Sequence, residues 1–104
     1  MTLHLTLKKK WFDMILSGQK KYEYRELKPY WRKRFVIDGT HPPVCVTKYD
    51  YVLFSNGYSK DCPKMKVKLN HIFISFGKPE IGGDPNNLQF VLWLGDVIET
   101  QNTK

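Results

Sequence analysis

The period of the hydrophobic positions changes along the chain, and each change marks an element. Leu3, Leu5 and Leu7 alternate with His4 and Thr6, the period-two pattern of a half-buried strand. Trp11, Phe12, Ile15 and Leu16 then recur at helical spacing. Gly18 stands where a helix closes on a left-handed residue, so the spacing predicts a short amphipathic helix over residues 9–17. Alternation returns over residues 20–26, with Tyr22 and Tyr24 on one side and Lys21, Glu23 and Arg25 on the other. Pro29 suits the first turn of a second short helix, in which Trp31 and Phe35 lie four apart. His41-Pro42-Pro43 marks a loop, and residues 49–55 predict a strand ending at the turn dipeptide Asn56-Gly57. Residues 58–63 do not alternate and read as a loop. Met65, Val67 and Leu69 alternate with Lys64, Lys66 and Lys68. The apolar phase slips before Ile72, Ile74 and Phe76, which predicts a bulge or bend near Asn70-His71. Residues 77–87, rich in Gly, Pro and Asn, read as the longest surface loop. Residues 88–99 form the last strand, with Gly95 as its kink.

The order β-α-β-α-β-β-β predicts an α+β fold: a small mixed β-barrel of about five strands, with two short helices near the N-terminus. Curving the sheet toward closure removes exposed edges. The 104 residues contain no repeat, low-complexity tract or linker, so one domain over residues 1–104 is expected. A hydrophobic fraction of 41% with 14% aromatics excludes a disordered chain. The longest apolar runs are strand-sized, which argues against a membrane span, and the alternating N-terminus is not a secretory signal. The expected location is the cytoplasm and the expected state a monomer. Cys45 and Cys62 form no CxxC motif and are expected as free thiols. With His41 and His71 they match no common zinc spacing, so neither metal nor cofactor is expected.

Charge alters the picture more than composition does. Residues 1–37 carry ten Lys and Arg against Asp13, Glu23 and Glu26, a surplus of seven that equals the net charge of the whole chain. Such a concentration is the footprint of a surface for a polyanion, or else a solubilising face. Two stretches within it carry candidate chemistry. In the first, Lys20, Glu23 and Arg25 follow the turn after Gly18. Lys20 and Arg25 can hold phosphate while Glu23 accepts hydrogen bonds from base edges or sugar; alternatively the three simply pair and solvate. Lys20 and Glu23 have opposite parity on a regular strand, so they converge only if Lys20 sits in the turn or a bulge intervenes. In the second, Lys28-Pro29-Tyr30-Trp31-Arg32-Lys33-Arg34 interleaves rings with cations, a combination that suits single-stranded nucleic acid. Phe35 and Trp31 also read as core anchors, which leaves Tyr30, Arg32, Lys33 and Arg34 as contacts.

Five segments together resemble the ASCH domain family: residues 3–9, the run Trp11-Phe12-Asp13-Met14-Ile15, Gly18-x-Lys20-x-x-Glu23-x-Arg25, Lys28-Pro29-Tyr30-Trp31, and Phe54-Ser55-Asn56-Gly57-Tyr58. The likeness extends from Leu3 to Ile98. It implies a PUA-like β-barrel with a cleft lined by the segment after the first helix, and RNA or a modified nucleotide as ligand. Lys20, Glu23, Arg25, Tyr30, Trp31, Arg32, Lys33, Arg34 and Asn56 would contact it. The resemblance also implies an enzymatic alternative, because family members include N4-acetylcytidine amidohydrolases and a ribonuclease. In the amidohydrolases the lysine matching Lys20 acts with a threonine three residues on and a distant glutamate. Here Glu23 occupies the threonine position, and Glu80 and Asp84 lie in the loop where the distant acid falls. Lys20 and Glu23 would then be the catalytic acid/base pair, although an adjacent carboxylate favours the charged lysine over the neutral base. A regulatory module that binds an acidic protein is a third expectation.

Overall fold

Leucines at alternate positions form the first strand, β1 (Thr2–Thr6), which turns Leu3 and Leu5 inward and leaves His4 outside. The computed structural model describes residues 1–46 and 48–103. Helix α1 (Lys9–Leu16) buries Phe12 and Ile15 on one stripe. Gly18 follows with φ of 86°, the left-handed conformation for which glycine has no steric penalty. The Lys20 N–H then donates to Met14 O at 3.0 Å, folding the chain back on the last helical turn. Strand β2 (Tyr22–Glu26) and helix α2 (Pro29–Phe35) come next, with Pro29 in the first turn as its fixed φ favours. Among the described residues three further strands follow: β3 (Tyr51–Ser55), β4 (Lys64–Ser75) and β5 (Gln89–Gln101).

The five strands form one sheet in the order β1-β3-β4-β5-β2; β1 and β3 are parallel and every other pair is antiparallel. The α+β class, the five strands and the two early helices are as the sequence predicts. Strands β4 and β5 are long because each serves both halves of the sheet. Register shifts between Lys66 and Val67, Val67 and Leu69, and Leu69 and His71 bend the pair there. The bend thus covers a longer stretch than the phase slip at Asn70-His71 indicates. Gly95 lies against it: a Cβ there would stand 3.0 Å from Asn70 Oδ1.

Curvature stops at a half-barrel. Among the described residues β1 and β2, at the two ends of the strand order, share no ladder. Helix α1 leaves β1 at this seam and packs Phe12 and Ile15 into the common core with Phe35, Val52, Phe54, Phe90 and Leu92. The Arg25 side chain on β2 donates to Thr6 O at the end of β1, a link across the seam where backbone pairing would close a barrel. Helix α2 is anchored through Phe35, whose ring lies 5.3 Å from Phe90 in an edge-on contact and stacks on Trp31 at 5.4 Å.

The loop over residues 77–87 has more structure than its composition suggests. It contains a 3-10 turn, Pro79–Ile81, with Ile81 buried. Gly77 N–H donates to Asp84 O and Gly83 N–H to Lys78 O, each at 2.8 Å, pinching the loop at its base. Gly82 lies so close to Trp11 that a Cβ would stand 3.1 Å from the indole. The loop is thereby folded onto α1. No helix among the described residues is long and apolar enough to cross a membrane.

Candidate functional site

The turn after α1 and the period of β2 bring Lys20, Glu23 and Arg25 together. Strand parity points Glu23 and Arg25 inward and Tyr22 and Tyr24 outward. Lys20 precedes the strand, so the parity conflict does not arise. Its ammonium lies 3.4 Å from Glu23 Oε1, while Arg25 Nη2 and Nε reach Glu23 Oε2 at 2.6 and 3.0 Å. The same Nη2 donates to Thr6 O at 3.2 Å, which spans the seam from β2 to the end of β1.

This cluster is almost closed to solvent. Lys20 is 1% exposed and Glu23 5%. Above Lys20 lies the 3-10 turn, whose Ile81 carbonyl accepts a hydrogen bond from Nζ. The rings of Trp11 and Tyr24 flank the ammonium at 5.3 and 5.0 Å from their centroids. No side-chain N or O among the described residues is buried without a partner. Burial pulls the Lys20 ammonium below its ordinary value of 10.5; the Glu23 carboxylate and its hydrogen bond oppose that, and the Arg25 charge adds to it. Burial also raises the Tyr24 phenol, against the Lys78 N–H that its oxygen accepts at 3.2 Å.

Arg25 joins this interior to the basic surface. Its guanidinium lies 5.1 Å from the Trp31 ring centroid, so it rests between the end of β1, from which Lys8, Lys9 and Lys10 follow, and α2. On α2, Arg32 and Lys33 are exposed. Arg34 lies 3.8 Å from the Tyr30 ring and donates to Tyr30 O at 3.1 Å. Tyr30 is exposed, whereas Trp31 is half-buried against the core. The Asn56 side-chain amide donates to Leu7 O at 3.0 Å, one residue beyond the carbonyl that Arg25 reaches, and ties β1 to the end of β3.

Glu80 is exposed, and the Asp84 carboxylate is turned into its own loop. There Asn87 Nδ2 and the Asn86 N–H donate to it, each at 2.8 Å, and hold it below the usual carboxylate range. Glu23 is the acid in contact with Lys20. Cys45 and Cys62 are free, burial raises the Cys45 thiol, and no metal-holding group of three His, Cys, Asp or Glu occurs among the described residues. Sequence reasoning missed Trp11, Ile81 and the Thr6 carbonyl as partners of the cluster. Ile81 had a signal, a lone apolar residue after a proline in a polar loop. A backbone carbonyl across a seam has none.

No protein-family model, curated protein or solved structure matches the chain.

Removing Glu23 leaves the buried Lys20 and the partly exposed Arg25 beside each other without a counter-ion. Glu23→Ala should cost about 3–5 kcal/mol of unfolding free energy, as for other broken buried pairs. Lys20→Met should cost less, because Glu23 keeps Arg25; denaturant unfolding measures both. The lowered Lys20 value also fixes a sign. Between its folded value and 10.5 the unfolded chain binds more protons, so stability rises with pH across that window. The wild type should therefore gain stability relative to Lys20→Met as pH climbs toward 10.5. Making the comparison in a Tyr24→Phe background removes the opposite effect of the raised Tyr24 phenol. Parallel pH profiles would show that the Glu23 contacts fully offset the cost of burying the ammonium.

Proposed function

We propose that the chain is an ASCH-type, PUA-like domain that binds RNA or a modified nucleotide through the basic face of its first 37 residues. The observation that carries this reading is the Arg25 junction. One guanidinium touches the end of β1, ahead of residues 8–10, and Trp31, beside Arg32, Lys33 and Arg34. Two cationic segments distant in sequence thereby flank one point, with Tyr30 exposed beside them. Cations follow phosphates and an exposed ring offers a stacking surface, which is the chemistry of single-strand binding.

A hydrolase acting on RNA or a modified nucleoside is the second reading. The lowered Lys20 ammonium beside a carboxylate favours it. In this arrangement the Ile81 carbonyl occupies Lys20, so a substrate reaches the amine only if the turn Pro79–Ile81 moves away.

Binding to a single-stranded RNA should weaken steeply as salt rises, with each neutralised phosphate adding roughly 0.7 to the log–log slope. Replacing Arg32, Lys33 and Arg34 together with Ala should flatten the slope by about two while circular dichroism stays unchanged. Unchanged affinity and slope would reduce this strip to a solubilising face. For the second reading, incubation with N4-acetylcytidine or RNA should give no turnover in the wild type. Hydrolysis lost in both Lys20→Ala and Lys20→Arg would instead assign Lys20 as the base, since a guanidinium stays charged.

A further inference from the structure

The outward face of β2, β5 and the second half of β4 carries a group of rings of which only Tyr24 also serves the buried cluster. Register places Tyr22 beside Trp93 and Trp93 beside His71; one pair further along, Tyr24 lies beside Val91 and Val91 beside Phe73. These positions share one face by strand parity, opposite the core residues Phe90, Leu92 and Leu94. The Tyr22 and Phe73 rings meet edge-on at 6.4 Å, and His71 stacks on Phe73 at 6.2 Å. Around Tyr22, Tyr24, Phe73 and Phe76 lies a shallow depression of about 190 Å³, open to solvent.

Part of this group has a plain packing role. Val91 is 2% exposed although it points away from the core, so the rings beside it form a small second cluster. Trp93 and Phe76 go beyond that need, at 45% and 56% exposed. Two large apolar side chains left in water beside further aromatics make a contiguous patch of the kind that marks a binding site.

The rim of the patch carries more cations than acids, with Lys78 and Lys21 on one side and Glu80 near enough to Tyr24 to act on its phenol. Lys78 Nζ lies 5.6 Å from the Tyr22 ring centroid, and the exposed Lys21 precedes Tyr22. Glu26, at the far end of the strand, is 3.6 Å from Lys28. Two copies meeting through this face would bring like charges together on chains of net charge +7. A polyanion with flat apolar groups gains from both features: its bases stack on the rings while its phosphates meet the lysines.

We infer that this face is a stacking platform for unpaired bases of a single-stranded nucleic acid, with Trp93, Tyr22 and Phe73 as stacking residues and Lys78 as a phosphate contact. The inference rests on the RNA-binding reading above and adds a second surface, which contacts bases where the α2 strip contacts phosphates.

The test is titration of the isotope-labelled full chain with a uridine tetranucleotide and with its abasic counterpart, followed by NMR. At salt high enough to screen surface charges, the Trp93 indole and the Tyr22 and Phe73 amides should shift with the uridine strand and stay still with the abasic one. Trp93→Ala should weaken uridine-strand binding about tenfold, with the salt slope kept, and Trp93→Phe should restore most of it. Because Trp93 is half-exposed, neither variant opens the core. Shifts confined to α1 and α2, with Trp93→Ala binding normally, would overturn the platform and leave the basic-face reading standing. Absence of binding by either strand at any salt would overturn both. A concentration-dependent dimer lost in Trp93→Ala would make this face a self-interface and overturn the platform alone.

Discussion

The Glu23 carboxylate holds Lys20 and Arg25 in a part of the molecule nearly closed to water, and four segments of chain meet there. Lys20 comes from the turn after α1 and Arg25 from β2. Arg25 reaches across to the Thr6 carbonyl on β1, and the Ile81 carbonyl descends from the 77–87 loop onto Lys20. A lone lysine at 1% exposure would be deprotonated or expelled, since burying an unpaired charge costs several kcal/mol. One carboxylate shared by two cations offsets part of that cost, and the two backbone carbonyls accept donors that remain. Through Lys20 and Arg25 this one acid thus links the loop to the seam of the half-barrel.

This arrangement separates the positive charges into two populations. Lys20 and Arg25 are committed to Glu23, whereas the other eight basic residues of the first 37 lie outside the cluster. Two of these eight have surface partners, Lys9 with Asp13 and Lys28 with Glu26, and such exposed pairs exert little hold. The surplus charge is therefore at the surface and free to meet an anion. Arg25 belongs to both populations, because one side of its guanidinium serves Glu23 and Thr6 while its plane lies near Trp31. Altering Glu23 would disturb the surface through Arg25, and altering Arg32 or Lys33 would leave the interior intact.

Local features of the fold were readable from residue pattern. The helix end at Gly18, Pro29 in the first turn of α2 and the shared side of Glu23 and Arg25 all follow from rules spanning a few residues, whereas the burial of that charged side does not. The features that escaped depend on contacts distant in sequence. Lys20 and Ile81 are 61 positions apart, and no periodicity in either segment reports on the other. The unclosed seam is of the same kind, since strand patterns say which face is buried and not whether two edge strands meet. The outward group of rings lay between these cases. Tyr22 and Tyr24 showed their side of β2, but their neighbours on β4 and β5 depend on register across three bulged positions, and a one-residue slip would turn Trp93 to the other face.

Strand β2 is where these constraints converge. A strand offers two faces, and as the last strand of the order β2 also leaves one edge unpaired. Its inward face carries the ion cluster, its outward face carries Tyr22 and Tyr24, and its free edge is bridged by Arg25 instead of a neighbouring strand. A nucleic acid that engaged both the α2 strip and the outward rings would meet two interactions of different physical character. Contacts with phosphates weaken as counterions compete, while stacking on rings depends little on ionic strength. Phosphate contacts carry little information about sequence, so selectivity among ligands would rest on the rings and on their spacing across β2, β5 and β4. That spacing is set by strand register, which the bend at Leu69–His71 and the tight approach of Gly95 to Asn70 hold in place. The same local irregularity that curves the sheet around its core therefore also determines how the outer rings are laid out.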